Sequence, residues 1–201
     1  MILTDVIGTT LWDASVAMAV DGDPQRALDA AADLVCRAVA QTGVPRGRVL
    51  GLGLGIACPV DRDGELHPDG ILPDWIGIRP ADELGKRTGL EVRLINDANA
   101  GALAECRFGA ARGCARAVYL RLSSGIGAGL VHEGRLLPGS GGFAGEIGHV
   151  TVEPRGARCR CGNHGCLETV AGPPALAALL SRDRGRTVTT AELAGLIAGG
   201  D

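Results

Sequence analysis

Three cysteines, Cys159, Cys161 and Cys166, fall within eight residues, and His149 lies ten residues ahead of the first of them. Three thiolates and an imidazole make a Cys3His set, a common closed tetrahedral zinc site. Soft sulfur donors favour zinc over magnesium or calcium. Gly162 and Gly165 give the backbone the freedom to fold tightly around an ion. On spacing alone His164 competes as the fourth ligand, although between Cys161 and Cys166 it would be strained. The alternative without a metal is three buried thiols near a turn. With four protein ligands the ion is structural and leaves no open position for substrate or activated water. Its expected effect is to pin the segment 139–170.

A second group of residues offers hydrogen bonds at fixed angles. Asn96, Asp97 and Asn99 sit where an expected strand passes into an expected helix, and Glu146, His149 and Glu168 flank the cysteines. Strand ends in open α/β sheets are where ligands bind. This mixture of donors and acceptors suits the vicinal hydroxyls of a sugar. A general base for a hydroxyl must be an acid or a histidine within hydrogen-bond reach, and Asp97 qualifies. Asp97 equally suits the cap of the following helix, and Glu146 and Glu168 equally suit a solvated surface.

The elements that must position these groups follow from periodicity. Residues 11–20 read as a strand, and Pro24 opens a helix whose apolar residues recur at helical spacing up to Gly43. Residues 49–56 are nearly all apolar and glycine-rich, which predicts a strand covered on both faces. Residues 80–88 and 98–108 read as helices, with a buried strand at 92–95 between them. Strands follow at 117–122 and 127–132 around the turn at Ser123, Ser124 and Gly125. Glu133 and Gly134 form a hairpin turn, 139–145 a glycine-rich loop, and 174–181 and 190–198 helices. Strands alternating with helices indicate an α/β protein. The break at 111–115 divides it into domains at 1–115 and 116–201.

Composition narrows the function classes. The 201 residues are 46% hydrophobic, enough for a sizeable core, and the formal charge is −3 with no basic block. Nothing in that balance suggests a nucleic-acid surface. No stretch reaches the roughly 18 apolar residues of a membrane span, and the first residues do not read as a signal peptide. Cys36, Cys58, Cys106 and Cys114 are scattered, as reduced thiols usually are. A cytoplasmic protein is expected, with no membrane partner.

These motifs resemble the ROK family of bacterial sugar kinases and sugar-responsive transcriptional regulators. The resemblance rests on 142–149 (Gly-Phe-Ala-Gly-Glu-Ile-Gly-His), 159–168 (Cys-Arg-Cys-Gly-Asn-His-Gly-Cys-Leu-Glu), 96–99 (Asn-Asp-Ala-Asn) and 124–129 (Ser-Gly-Ile-Gly-Ala-Gly). It implies a sugar-kinase/actin-like fold of two ribonuclease-H-like domains, both incomplete here, with a zinc-pinned loop. It implies Asp97 as catalytic base and Asn96, Asp97, Glu146, His149 and Glu168 as ligands of a hexose or N-acetylhexosamine. His149 would use one ring nitrogen for zinc and the other for a sugar hydroxyl; Cys159, Cys161 and Cys166 complete the zinc set. Ser124, Gly125 and Gly127 match the family's second phosphate loop, with Ser123 where a glycine is usual. ATP and magnesium are implied only for a kinase. The family's first phosphate loop is expected to be missing, because residues 4–20 align with the hairpin after it rather than with the loop itself. The strand that carries it is central, so its absence should leave a gap in the sheet. The resemblance further implies a homo-oligomer, and DNA contact only through a helix-turn-helix that this chain does not contain. The segment 71–75 (Ile-Leu-Pro-Asp-Trp) resembles the regulators more than the kinases. The expected function is sugar binding in a regulator, with an ATP-dependent hexose kinase as the alternative.

Overall fold

The computed structural model describes residues 1–199 and packs as two compact units, Met1–Asp97 and Ala98–Asp201. In the first unit, β1 (Ile2–Thr4) and β2 (Thr10–Asp13) form an antiparallel hairpin. Asp5 closes its turn: its Oδ1 accepts the N–H groups of Ile7 and Thr9 at 3.0 and 2.8 Å, and Gly8 takes φ +92°. The expected strand at 11–20 is therefore much shorter. The register runs from Thr4 with Thr10 to Ile2 with Asp13, and the Ala14 N–H adds one further bond to the Met1 carbonyl at 3.0 Å.

Helix α1 (Pro24–Thr42) begins on the Asp23 cap, whose side chain accepts the Arg26 N–H, and ends on left-handed Gly43. Strand β3 (Leu52–Ile56) pairs in parallel with β4 (Val92–Asn96), and α2 (Pro80–Thr88) lies between them in sequence. The two pairs of strands are separate sheets; among the described residues no strand joins them. Residues 49–51 stay outside β3, and the strand is not covered on both faces as expected. Leu52, Leu54 and Ile56 turn toward the core while Gly53 and Gly55 face outward. That core gathers Ala27, Leu28, Cys58, Leu72, Trp75 and Leu84. Trp75 also donates its indole N–H to the Val20 carbonyl at 3.0 Å, which ties the irregular 14–23 segment down.

The second unit opens with α3 (Asp97–Phe108), which begins one residue inside the first unit. Strands β5 (Arg116–Leu122), β6 (Ile126–His132) and β7 (Arg135–Leu136) form one antiparallel sheet in that order. The β6–β7 turn places Glu133 and Gly134 at φ +50° and +74°, the left-handed pair that suits the twist of a two-residue hairpin. Helix α3 lies close on this sheet because the contact is built from small residues. A Cβ at Gly101 would meet the Tyr119 ring at 2.5 Å, and one at Gly129 the Ala102 Cβ at 2.5 Å. Beyond the sheet, α4 (Leu167–Ala171), α5 (Pro173–Arg184) and α6 (Thr190–Gly199) finish the unit. The short α4 escapes the sequence reading, since five residues cannot show a helical period. Among the described residues no helix is long and apolar enough to cross a membrane.

Candidate metal centre and polar site

The metal-ligand residues come together. The donor atoms of His149, Cys159, Cys161 and Cys166 all lie within 4.8 Å of one another. Cys161 Sγ is 3.7 Å from Cys166 Sγ, and Cys159 Sγ is 3.5 Å from His149 Nδ1. These two spacings can be tested. Two sulfurs at about 2.3 Å from a tetrahedral zinc stand about 3.8 Å apart, and a sulfur and an imidazole nitrogen at about 2.05 Å stand about 3.5 Å apart. Both match. A disulfide would need about 2.05 Å. His164 is not in the group; it is exposed and bridges to Arg158.

Local folding explains how distant residues converge. His149 ends a single 3-10 turn, Ile147–His149, whose last N–H bonds to the Glu146 carbonyl at 3.1 Å. That segment lies flat on β6. Gly145 has φ +100°, and a Cβ there would sit 2.0 Å from the Ala128 carbonyl oxygen; one at Gly148 would sit 2.1 Å from that of Ile126. The cysteines ride on a tight turn, with Gly162 N–H bonded to the Cys159 carbonyl at 3.0 Å and Cys159 N–H to that of Asn163 at 2.7 Å. Gly165, at φ +60°, lets the Glu153 carbonyl approach to 1.6 Å of its absent Cβ.

The electrostatics fit a cation. Cys166 and Cys159 are 0% and 3% exposed. Burial, and then the neighbouring Cys161 and Cys159, push the Cys166 thiol up to about 12. Burial also raises Cys161, but the Asn163 N–H and the other thiols hold it below its ordinary value. Burial lowers His149, which favours the neutral imidazole a metal needs. A buried thiol such as Cys166 becomes a thiolate readily only when a cation sits beside it. The residues therefore fit zinc, a structural ion that would hold the loop together.

The polar residues fall in two sets. Asn96 and Asp97 belong to the first unit. Asn96 is buried and donates through Nδ2 to the Cys58 carbonyl at 3.1 Å. Asp97 is the first residue of α3 itself, and not the residue before it. Glu146, His149 and Glu168 belong to the second unit, each partly buried. Glu168 is tightly engaged: its Oε2 accepts the Ile126 N–H at 2.9 Å, and its Oε1 pairs with Arg160 Nε at 3.2 Å. Sequence reasoning missed Arg160, which stands at an unremarkable position between two cysteines.

Of the turn residues Ser124, Gly125 and Gly127, the first is exposed and the two glycines lie against other elements. A Cβ on Gly125 would lie 2.0 Å from Glu168 Oε2, and one on Gly127 would touch the Ala98 Cβ at 3.4 Å. Room for the Glu168 carboxylate thus accounts for Gly125, whereas Gly127 only touches α3.

Known proteins place these features in a family. The glucokinase of Thermotoga maritima is 48% identical over 126 residues, 62% of this chain and 40% of its own. The xylose repressor of Bacillus subtilis is 32% identical over 177 residues, 87% of this chain and 45% of its own. The chain thus spans less than half the length of these two curated relatives. Among solved structures, a ROK glucokinase of Streptomyces griseus in complex with glucose and AMPPNP superposes with a TM-score of 0.72 at 30% identity. That match covers 98% of this chain and 66% of the other. The likeness is to ROK sugar kinases of the actin-like, ribonuclease-H-like α/β class. The ROK family model matches residues 3–201, and the chain belongs to the ROK family.

Proposed function

We propose that this chain is the sugar-binding part of a sugar-responsive transcriptional regulator, with a structural zinc held by His149, Cys159, Cys161 and Cys166. The observation that carries the reading is the orientation of His149. Its Nδ1 faces Cys159 at the spacing a shared ion requires. A metal on Nδ1 fixes the tautomer with the proton on Nε2, which becomes a donor of defined direction. Glu168 and Glu146 supply acceptors in the same unit, and donors with acceptors are what sugar hydroxyls need. Asn96 and Asp97 join the ligand set by resemblance. The ligand is a hexose or an N-acetylhexosamine. We read the chain as two incomplete ribonuclease-H-like domains, 1–115 and 116–201, a division 18 residues beyond the one between the compact units at Asp97 and Ala98, and the protein as a cytoplasmic homo-oligomer.

Two observations favour the regulator. The xylose repressor aligns over 87% of the chain and the glucokinase over 62%. The Ile126 amide, which a phosphate on the 123–127 turn would use, is already bonded to the Glu168 carboxylate. The kinase alternative is supported by the higher identity of the glucokinase, 48%. In it Asp97 would be the base, Ser124, Gly125 and Gly127 would face ATP phosphates, and magnesium would neutralise them. Calorimetric titration with glucose, xylose, mannose and N-acetylglucosamine tests the main reading. Binding by at least one sugar that weakens more than ten-fold in Glu146→Ala or Glu168→Ala supports it; no binding, or unchanged affinity in both variants, refutes it. An ADP-release assay separates the alternatives. Turnover near ~1 s⁻¹, the low end for ordinary kinases, that vanishes in Asp97→Asn would establish the kinase.

A further inference from the structure

Arg160 lies in the turn at 159–162, with a candidate metal ligand on each side of it. Its guanidinium pairs with Glu168, Nε to Oε1 at 3.2 Å. The other carboxylate oxygen is held by the Ile126 N–H at 2.9 Å. A carboxylate gripped at both oxygens from different elements has one orientation. It still has capacity, because each oxygen keeps a second lone pair for a hydroxyl. The pair is weakly screened on the carboxylate side, where the Glu168 side chain is 12% exposed against 40% for Arg160. The turn is shaped to receive both groups: a Cβ at Gly125 would meet Glu168 Oε2 at 2.0 Å and Arg160 Nη2 at 3.2 Å.

We propose that Arg160 is a positioning residue that couples the metal centre to hydroxyl recognition, by clamping the Glu168 carboxylate against the β5–β6 turn. This rests on the sugar-binding reading given above. The physical route is short. The ion fixes Cys159 and Cys161, these fix the backbone of Arg160, and Arg160 fixes Glu168. A site coupled in this way obeys reciprocity: if metal strengthens sugar binding, sugar strengthens metal retention by the same factor. Arg160 needs no contact with the sugar for this role.

The test uses the full chain and the variants Arg160→Met, which keeps the stem without charge, and Arg160→Lys, which keeps the charge. Zinc content is measured in each, then binding of whichever of D-glucose, D-xylose, D-mannose and N-acetyl-D-glucosamine the wild type binds. Zinc retention against a competing chelator is measured with and without that sugar. In the wild type the sugar should slow zinc loss. In Arg160→Met, with zinc still near one equivalent, affinity should fall roughly ten-fold, within the usual range of such couplings, and the effect of sugar on zinc should vanish. Arg160→Lys should recover part of both. Amide exchange at Ile126 gives a readout free of sugar. It should quicken in zinc-loaded Arg160→Met and in metal-stripped wild type alike. A zinc-loaded Arg160→Met with wild-type affinity, wild-type coupling and unchanged Ile126 exchange overturns the proposal alone. A wild type that binds no sugar overturns the sugar reading and this proposal with it. Should Arg160→Met fail to retain zinc, Arg160→Lys with full zinc, a weakened coupling and quickened Ile126 exchange is the supporting result, and one with full zinc and wild-type coupling and exchange the opposing one.

Discussion

Replacing Cys161 by serine removes one of the four proposed zinc ligands while leaving the other three in place. The consequences can be worked from the burial of the site. Cys166 is wholly buried and Cys159 nearly so, and burial is the largest cause that raises the Cys166 thiol. The penalty is then counted as the lost binding energy of the ion. Zinc at about a thousand times its dissociation constant contributes about 4 kcal/mol to the folded state. At roughly 2–4 °C per kcal/mol for a chain of this size, losing it lowers Tm by about 8–16 °C. Metal analysis should find about one zinc per wild-type chain and far less in Cys161→Ser. Cobalt substituted into the wild type should give the absorption of a tetrahedral thiolate site. Cys36 is exposed on α1, and Cys36→Ser should leave both zinc and Tm unchanged. A purified wild type without zinc, or a Cys161→Ser variant with full zinc and wild-type Tm, would refute the reasoning.

Gly165→Ala places a methyl about on top of the Glu153 carbonyl oxygen at a left-handed φ of +60°; overpacking alone costs about 1–3 kcal/mol, and metal analysis with thermal melts should show zinc loss and a lowered Tm. Gly101→Ala drives a methyl into the Tyr119 ring and should cost about 1–3 kcal/mol by denaturant titration, with zinc content unaffected. The Asp61 carboxylate is held below its ordinary value, first by His67 at 2.9 Å and then by the Glu65 N–H. A lowered carboxylate stabilises above its unfolded pKa, and that contribution disappears as pH falls through the folded value. Amide exchange at Asp63 and Glu65 should therefore quicken relative to the chain as pH drops below about 4, and Asp61→Asn should remove this pH dependence.

Much of the site was legible because its chemistry is local in sequence. The three cysteines are close neighbours, thiol and imidazole are strong donors wherever they stand, and the glycines among them take the positive φ that a tight turn needs. Helices α1 and α2 were legible for a similar reason, since Pro24 and Pro80 open them and Gly43 and Gly89 stop them in the left-handed conformation. Strand limits were not, because pairing depends on a second segment: β2 stops at Asp13 opposite Ile2, though apolar residues continue to Val20. Nor was the choice of face. In β5 the period of two separates Val118, Leu120 and Leu122 from Ala117, Tyr119 and Arg121, and local pattern favours burying the first set. The fold does the reverse: Gly101 of α3 accepts the Tyr119 ring, and the three aliphatic residues stay exposed. The same holds for the Arg160–Glu168 pair, whose partner is an amide 42 residues upstream of Glu168. The sequence by itself determined which atoms could bind a metal and where α1 and α2 begin and end, because those follow from donor chemistry and single-residue backbone preferences. Tertiary structure alone decided which strand face is covered and which backbone amide meets which carboxylate, because both depend on what another segment brings within a few ångströms.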